Sequence, residues 1–241
     1  MLVVAALVPD TALLVPGTAG DADVLVGLRT AAVAAVAEVV AAEVETVVGV
    51  APGPVPRELA GTVRPSLGAA GVPDELVWWP VEPVTLPGAG HDVPAVASAV
   101  GLHLLARARR DTGLRVVEVT GRQTAEALTI LGRTLVGDGP TGLVIVGSGS
   151  GRHGPDAPLA DDARAPSHDA RVLADLADAG PEARARLAAD DADLAAELAV
   201  RGWAPWQVLL GAAADQPIRA RLLAESTELG AQHQVLVWDA R

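Results

Sequence analysis

Residues 114–147 read LRVVEVTGRQTAEALTILGRTLVGDGPTGLVIVG, and this stretch decides the architecture. Residues 114–119, rich in Val, and 142–147 (GLVIVG), an apolar run, each read as a strand. Between them residues 122–135 carry helical spacing. Two strands joined by a helix cannot form a tight hairpin, so they run parallel with the helix crossing one face of the sheet.

Working outward, residues 2–8 (LVVAALV), closed by Pro9, and residues 46–50 (TVVGV) repeat the buried-strand pattern. A loop through Pro16, Gly17 and Gly20 leads to Asp21 and Asp23, which open a helix reaching about Glu43. On it Leu25, Leu28, Ala32, Val36 and Val39 form the inward stripe, and Arg29 and Glu38 lie off it. The Pro- and Gly-rich residues 51–73 read as a long loop and residues 76–79 as a further strand. Residues 93–110 read as a helix with Val93, Val96, Val100 and Leu104 inward and Arg107, Arg109 and Arg110 at its end. Residues 165–225 are rich in Ala, Asp and Arg, with breaks at Gly180-Pro181 and Gly202, and read as a helical excursion in three or four pieces. The two Trp flanking Ala204-Pro205 pin that excursion onto the sheet, and residues 234–238 supply the last strand. The expectation is a single α/β domain over residues 1–241. It is a three-layer sandwich with a largely parallel or mixed central sheet and a C-terminal helical excursion before the last strand.

Composition limits the chemistry. The 241 residues hold no Cys, which excludes disulfides, thiolate nucleophiles and iron–sulfur clusters. With 18 basic residues, all Arg, against 30 acidic ones, the net charge is −12, which disfavours nucleic acid as a partner. There is no Phe or Tyr, so five Trp are the only large aromatics. The N-terminal apolar run has no basic residue before it, the first being Arg29, and residues 31–42 are interrupted by Glu38. A secretory signal and a membrane span are therefore not expected, and the default is a soluble cytoplasmic protein, open to homo-oligomerisation.

In open α/β sheets ligands bind outside the carboxyl ends of the strands. The loops after residues 8, 50, 79 and 147 are thus the places to search. The last reads GSGSGRHG, residues 147–154, and Gly149, Gly151 and Gly154 satisfy G-x-G-x-x-G. A dinucleotide site needs a helix starting at that turn, whereas Pro155 and Pro158 follow and no helix is expected before about residue 165. Nucleotide or phosphate binding there, aided by Arg152, is kept as a minor alternative. Ser148 and Ser150 lack the nucleophile-elbow spacing, and His153 reads as a solvated loop residue with the option of acting as a base. Among His91, His103, His153, His168 and His233 no H-x-x-x-H or H-E-x-x-H spacing occurs. His91, next to Asp92 in a strand-end loop, is the best metal ligand on position alone. His103 reads as a structural helix residue and His168 as part of a solvated first turn.

Three stretches carry a family resemblance: ALVPDTALLVP at 6–16, GSGSGRHGPDAP at 147–158, and RGWAPWQVLLGAA at 201–213 leading to the closing strand that ends in Trp238. In this order they resemble the actinobacterial subunit-B-like proteins of the class III extradiol ring-cleavage dioxygenase family. The resemblance implies iron(II) held by two His and one carboxylate, with a further His as acid or base. Asp10 stands where the first metal His is implied, and Ala51-Pro52-Gly53 where the second is. Gly151 stands at the implied catalytic His, with His153 two positions later, and Glu225 and Glu228 are the available carboxylates. Two expectations follow. The first is a degenerate, non-catalytic binding or partner protein without cofactor, its small-molecule or protein partner unidentified. The second is a metal-dependent extradiol-type enzyme using iron(II) or another divalent metal on an altered set of Asp10, His91, Glu225 and Glu228, with His153 as the catalytic base.

Overall fold

The computed structural model describes residues 1–108, 113–137 and 139–240. Four strands run parallel at the centre: β1 (Leu2–Val8), β2 (Thr46–Pro52), β6 (Leu114–Val119) and β7 (Thr141–Val146). Antiparallel strands flank them. The short β3 (Arg57–Glu58) pairs with β6, β9 (His233–Asp239) with β1, and β8 (Arg219–Ser226) with β9, giving the order β3-β6-β2-β7-β1-β9-β8. A separate two-stranded ribbon joins β4 (Gly61–Val63) to β5 (Val84–Leu86).

Both faces of this sheet are covered, which is why its central strands are largely apolar, with the buried Glu118 of β6 an exception. Helices α1 (Val26–Ala41) and α2 (Val96–Arg107) pack on one face, where Val36 and Val100 meet Val4, Ala6 and Val144. On the other face α3 (Ala125–Val136) is joined by α4 (Ala165–Asp178), α5 (Pro181–Ala188), α6 (Ala192–Glu197) and α7 (Trp203–Ala213), over Leu7, Val50 and Ile145. The Thr124 hydroxyl caps α3 by accepting from the Ala127 amide. Every residue of α7 is buried, and Trp203 and Trp206 lie in the core beside the sheet, as their positions around Ala204-Pro205 suggest. Helices α3 and α7 approach backbone to backbone. A Cβ on Gly132 would come within 2.0 Å of the Val208 carbonyl oxygen, and one on Gly211 within 2.1 Å of that of Thr129.

The fold class agrees with the sequence reading, and several local assignments need correction. Residues 76–79 form no strand; a 3-10 turn at Asp74–Leu76 leads into irregular chain with Trp78 exposed. The helical excursion ends at Ala213, and β8 occupies most of the remaining stretch as the sheet's edge. The first helix begins at Val26, and Arg29 is buried, donating to the Leu14 carbonyl and pairing with Asp23. Val93 lies outside α2 and is 75 % exposed. Arg109 and Arg110 lie outside the described residues. No helix among the described residues is long and apolar enough to cross a membrane.

Candidate functional site at the sheet mouth

Helices α1 and α2 follow β1 and β2 on one face, whereas α3 precedes β7 and α4 follows it on the other. The chain leaving β7 therefore departs opposite to its neighbours, and crevices open beside its carboxyl end. Strand β9 is antiparallel to β1, so its first residue, His233, arrives at this same mouth. Asp10 comes from the chain after β1, Ser148 from the chain after β7, and Arg201 from the turn before α7. They meet in a cleft of about 550 Å3, with Leu13 and Leu229 supplying apolar wall.

The contacts are specific. The Asp10 amide donates to the Ser148 hydroxyl at 3.2 Å, and that hydroxyl lies 2.9 Å from His233 Nδ1. The Asp10 carboxylate is paired with the Arg201 guanidinium Nε, and Arg201 keeps its side chain 56 % exposed. Burial pushes the His233 imidazole below its ordinary range, against a weaker opposing pull from the Asp10 charge, so the ring is neutral at pH 7. The Arg201 turn is locked to the β7 end. The Gly202 amide donates to the Ser148 carbonyl at 2.7 Å, and a Cβ on Gly147 would fall 2.5 Å from the Gly202 Cα.

Behind this cleft the glycine loop is fastened to α4. Asp169, buried in that helix, accepts from the Ser150 amide at 3.0 and 3.1 Å and lies 2.6 Å from His153 Nε2. His168 sits between Asp169 at 3.4 Å and Asp190 at 3.3 Å, and Arg171 also pairs with Asp190. Hydrogen bonding to Asp169 and then Asp190 outweighs burial and pushes His168 up to about 9. Both histidines thus depart from their sequence reading. His153 is a tethered residue and His168 a buried, charged one. Most of the loop's amides are committed within the protein: Gly149 donates to the Gln232 carbonyl, His153 to that of Gly230, and Gly154 to Asp161. A phosphate cradle needs such amides free.

The residues singled out as metal ligands are dispersed. Asp10 lies in the mouth cleft, whereas Glu225 and His153 line a different cavity of about 630 Å3 between α4 and β8. His91 is exposed, bridging Gly61 beside the β4–β5 ribbon, and Glu228 is exposed in the 3-10 turn Glu228–Gly230. Among the described residues no three His, Asp or Glu side chains converge to hold a metal ion. Iron(II) in a facial triad asks for two imidazoles and a carboxylate. The mouth offers one imidazole, hydrogen-bonded to Ser148, and one carboxylate, engaged by Arg201, so the donor set does not fit that group.

Ser148 and His233 stand 85 positions apart and carry no joint motif. The signal that could have united them is topological. If the last strand returns antiparallel beside β1, its first residue must face the ends of β1 and β7.

No family model matches the chain, and no curated protein does. Among solved structures, the crystal structure of the uncharacterized protein JW3007 from Escherichia coli K12 is similar over 98 % of this chain and 99 % of that one. The TM-score is 0.56 and the identity 18 %, a likeness of fold.

Proposed function

We propose that this chain is a class III extradiol dioxygenase subunit-B-like protein that has lost iron-dependent ring cleavage and acts as a binding protein, taking a small molecule in the cleft at the ends of β1 and β7. The observation that carries the reading is the Asp10–Arg201 pair. At the position where the family resemblance implies an imidazole ligand, a carboxylate is already neutralised by a cation from the α7 turn. The cleft is suited to binding: about 550 Å3, within the range of small-molecule sites, with apolar walls and a few converging polar groups. Arg201 offers a fixed cation, and neutral His233 with Ser148 offers hydrogen bonding of either sense.

The test is metal analysis of the purified protein, followed by anaerobic loading with ferrous iron and exposure to air with 4-methylcatechol. The expected result is no stoichiometric iron and no oxygen uptake above a protein-free control. One iron per chain together with a ring-opened product overturns the proposal.

A second reading, a divalent-metal enzyme with an altered ligand set, is favoured by one observation: Asp10 and His233 line the same cleft. It requires Arg201 to release Asp10 and a third donor to enter. Calorimetric titration with Mn2+ and Zn2+, showing saturable binding abolished by Asp10→Ala, would establish it.

A further inference from the structure

A second cavity, of about 400 Å3, opens at the carboxyl ends of β2 and β6, beside the mouth cleft. The chain leaving β6 enters α3 on one face of the sheet, and the chain leaving β2 reaches α2 on the other, so the strand ends part here as well. The lining is mainly apolar. Pro52 and Val119 come from the strand ends, Ala196 from α6 and Val200 from the turn after it. Leu159, 45 % exposed, completes it with a large side chain left uncovered.

Among the described residues of this wall Arg201 is the one charged side chain. It lines the mouth cleft too, where Asp10 stands. Its guanidinium hydrogen-bonds that carboxylate through Nε, and among the described residues Nη1 and Nη2 make no hydrogen bond, so the fork they form is open to a second partner. Glu118 lies behind Gly53, where an added Cβ would fall 2.6 Å from its own. That carboxylate is matched by Arg57 and the Ser98 hydroxyl, each at 2.8 Å, and by the Ala95 amide at 2.6 Å. The cavity therefore combines an apolar wall with a single available cation.

We propose that this cavity binds a short-chain aliphatic carboxylate. The carboxylate oxygens accept from Arg201 Nη1 and Nη2, and the hydrocarbon chain lies against Val119, Leu159 and Val200. Asp10 stays paired through Nε. An organic cation would be repelled by Arg201, a neutral chain would leave it unmatched, and a polyanion would find no second cation in the wall. The inference goes beyond the reading of the mouth cleft: Arg201 belongs to both cavities, and the ligand occupies the other one.

The test is isothermal titration of the full chain with hexanoate, butanoate and hexylamine. Saturable one-to-one binding of hexanoate is expected, weaker by about tenfold for butanoate, because each buried methylene is worth about three- to fourfold. Hexylamine gives no saturable heat. Arg201→Gln weakens hexanoate about tenfold or more, the effect of losing charge-assisted hydrogen bonds. Ala196→Leu, a change at an exposed helix position that fills the cavity, also weakens it, and carries the test even if Arg201→Gln lowers stability. In the bound protein the methyl resonances of Val119, Ala196 and Val200 move, and those of Leu13 and Leu229 do not. No saturable heat, equal affinity for hexanoate and hexylamine, or indifference to chain length, to Arg201→Gln or to Ala196→Leu each overturns the proposal. Shifts at Leu13 and Leu229 instead would put the acid in the mouth cleft, which overturns this site and leaves the binding role of the cleft standing.

Discussion

His233 and His168 are both buried and both close to carboxylates, yet one is held neutral and the other charged. The difference lies in direct contact with those carboxylates. Asp10 acts on His233 through its charge alone, the ring being hydrogen-bonded to Ser148 instead, and burial prevails. His168 lies between two carboxylates, and their combined attraction exceeds the desolvation of the ring. Depth alone does not set the sign of a histidine shift; direct hydrogen bonding to carboxylates does. On the α4 side charge therefore serves as a structural fastening, while the mouth is lined by a neutral imidazole and an exposed guanidinium.

The largest test of this contrast is Asp169→Ala, which removes the acceptor of the Ser150 amide and the partner of His153 and His168. A loss of about 3–5 kcal/mol in urea unfolding is expected, the size seen when one partner of a buried pair is removed. A loss well below that would mean the fastening is supplied elsewhere. Arg201→Ala leaves the Asp10 carboxylate nearly buried without its cation, and a loss of about 1–3 kcal/mol is expected. Adding Asp10→Ala should recover part of it in a double-mutant cycle. If Arg201→Ala were as stable as the parent, the Asp10–Arg201 pair would not be what holds the mouth.

Two pH profiles sharpen the comparison further. The folded pKa of His168, about 9, lies above its ordinary 6.5, so its contribution is complete below pH 6.5 and is lost as pH rises through 9. The destabilisation caused by His168→Gln should accordingly shrink between pH 6.5 and 9. His233 has the opposite sign. Its folded pKa is depressed, so below pH 6.5 the unfolded chain takes up a proton that the folded chain resists, and stability falls with pH. The smallest expected effect is thus on His233→Gln, whose unfolding midpoint should gain on the parent as pH drops from 7 to 5. Parallel slopes for the two variants would erase the distinction between the sites.

The central strands were legible because burial on both faces forces continuous apolar runs such as LVVAALV and GLVIVG. Strand β8 was not. RARLLAES is built of good helix formers, lies at the sheet edge and is broken by a bulge between Leu222 and Ala224, so neither propensity nor alternation marks it. Arg29 carries a charge that local periodicity assigns to solvent, and only the folded chain reveals the Leu14 and Val24 carbonyls that receive it. At the candidate site, Asp10 was singled out through the family resemblance, as the residue standing for a metal His, and it lines the mouth cleft. Ser148 with His233, and His153 with Asp169, were hidden because each pair depends on strand order or on a loop folding back over α4. The dispersal of His91, Glu225 and Glu228 is likewise a property of topology, which spacing along the chain does not encode.

The glycine contact between residues 147 and 202 has a mechanical consequence. Any ligand that draws Arg201 off Asp10 must also move Gly202, which is tied to the Ser148 carbonyl and leads directly into a helix with no exposed residue. Helix α7 in turn rests on α3 through Gly132 and Gly211. The mouth is therefore stiff, and an entering molecule has to match its shape, because bending the cleft means shifting a whole layer of the protein.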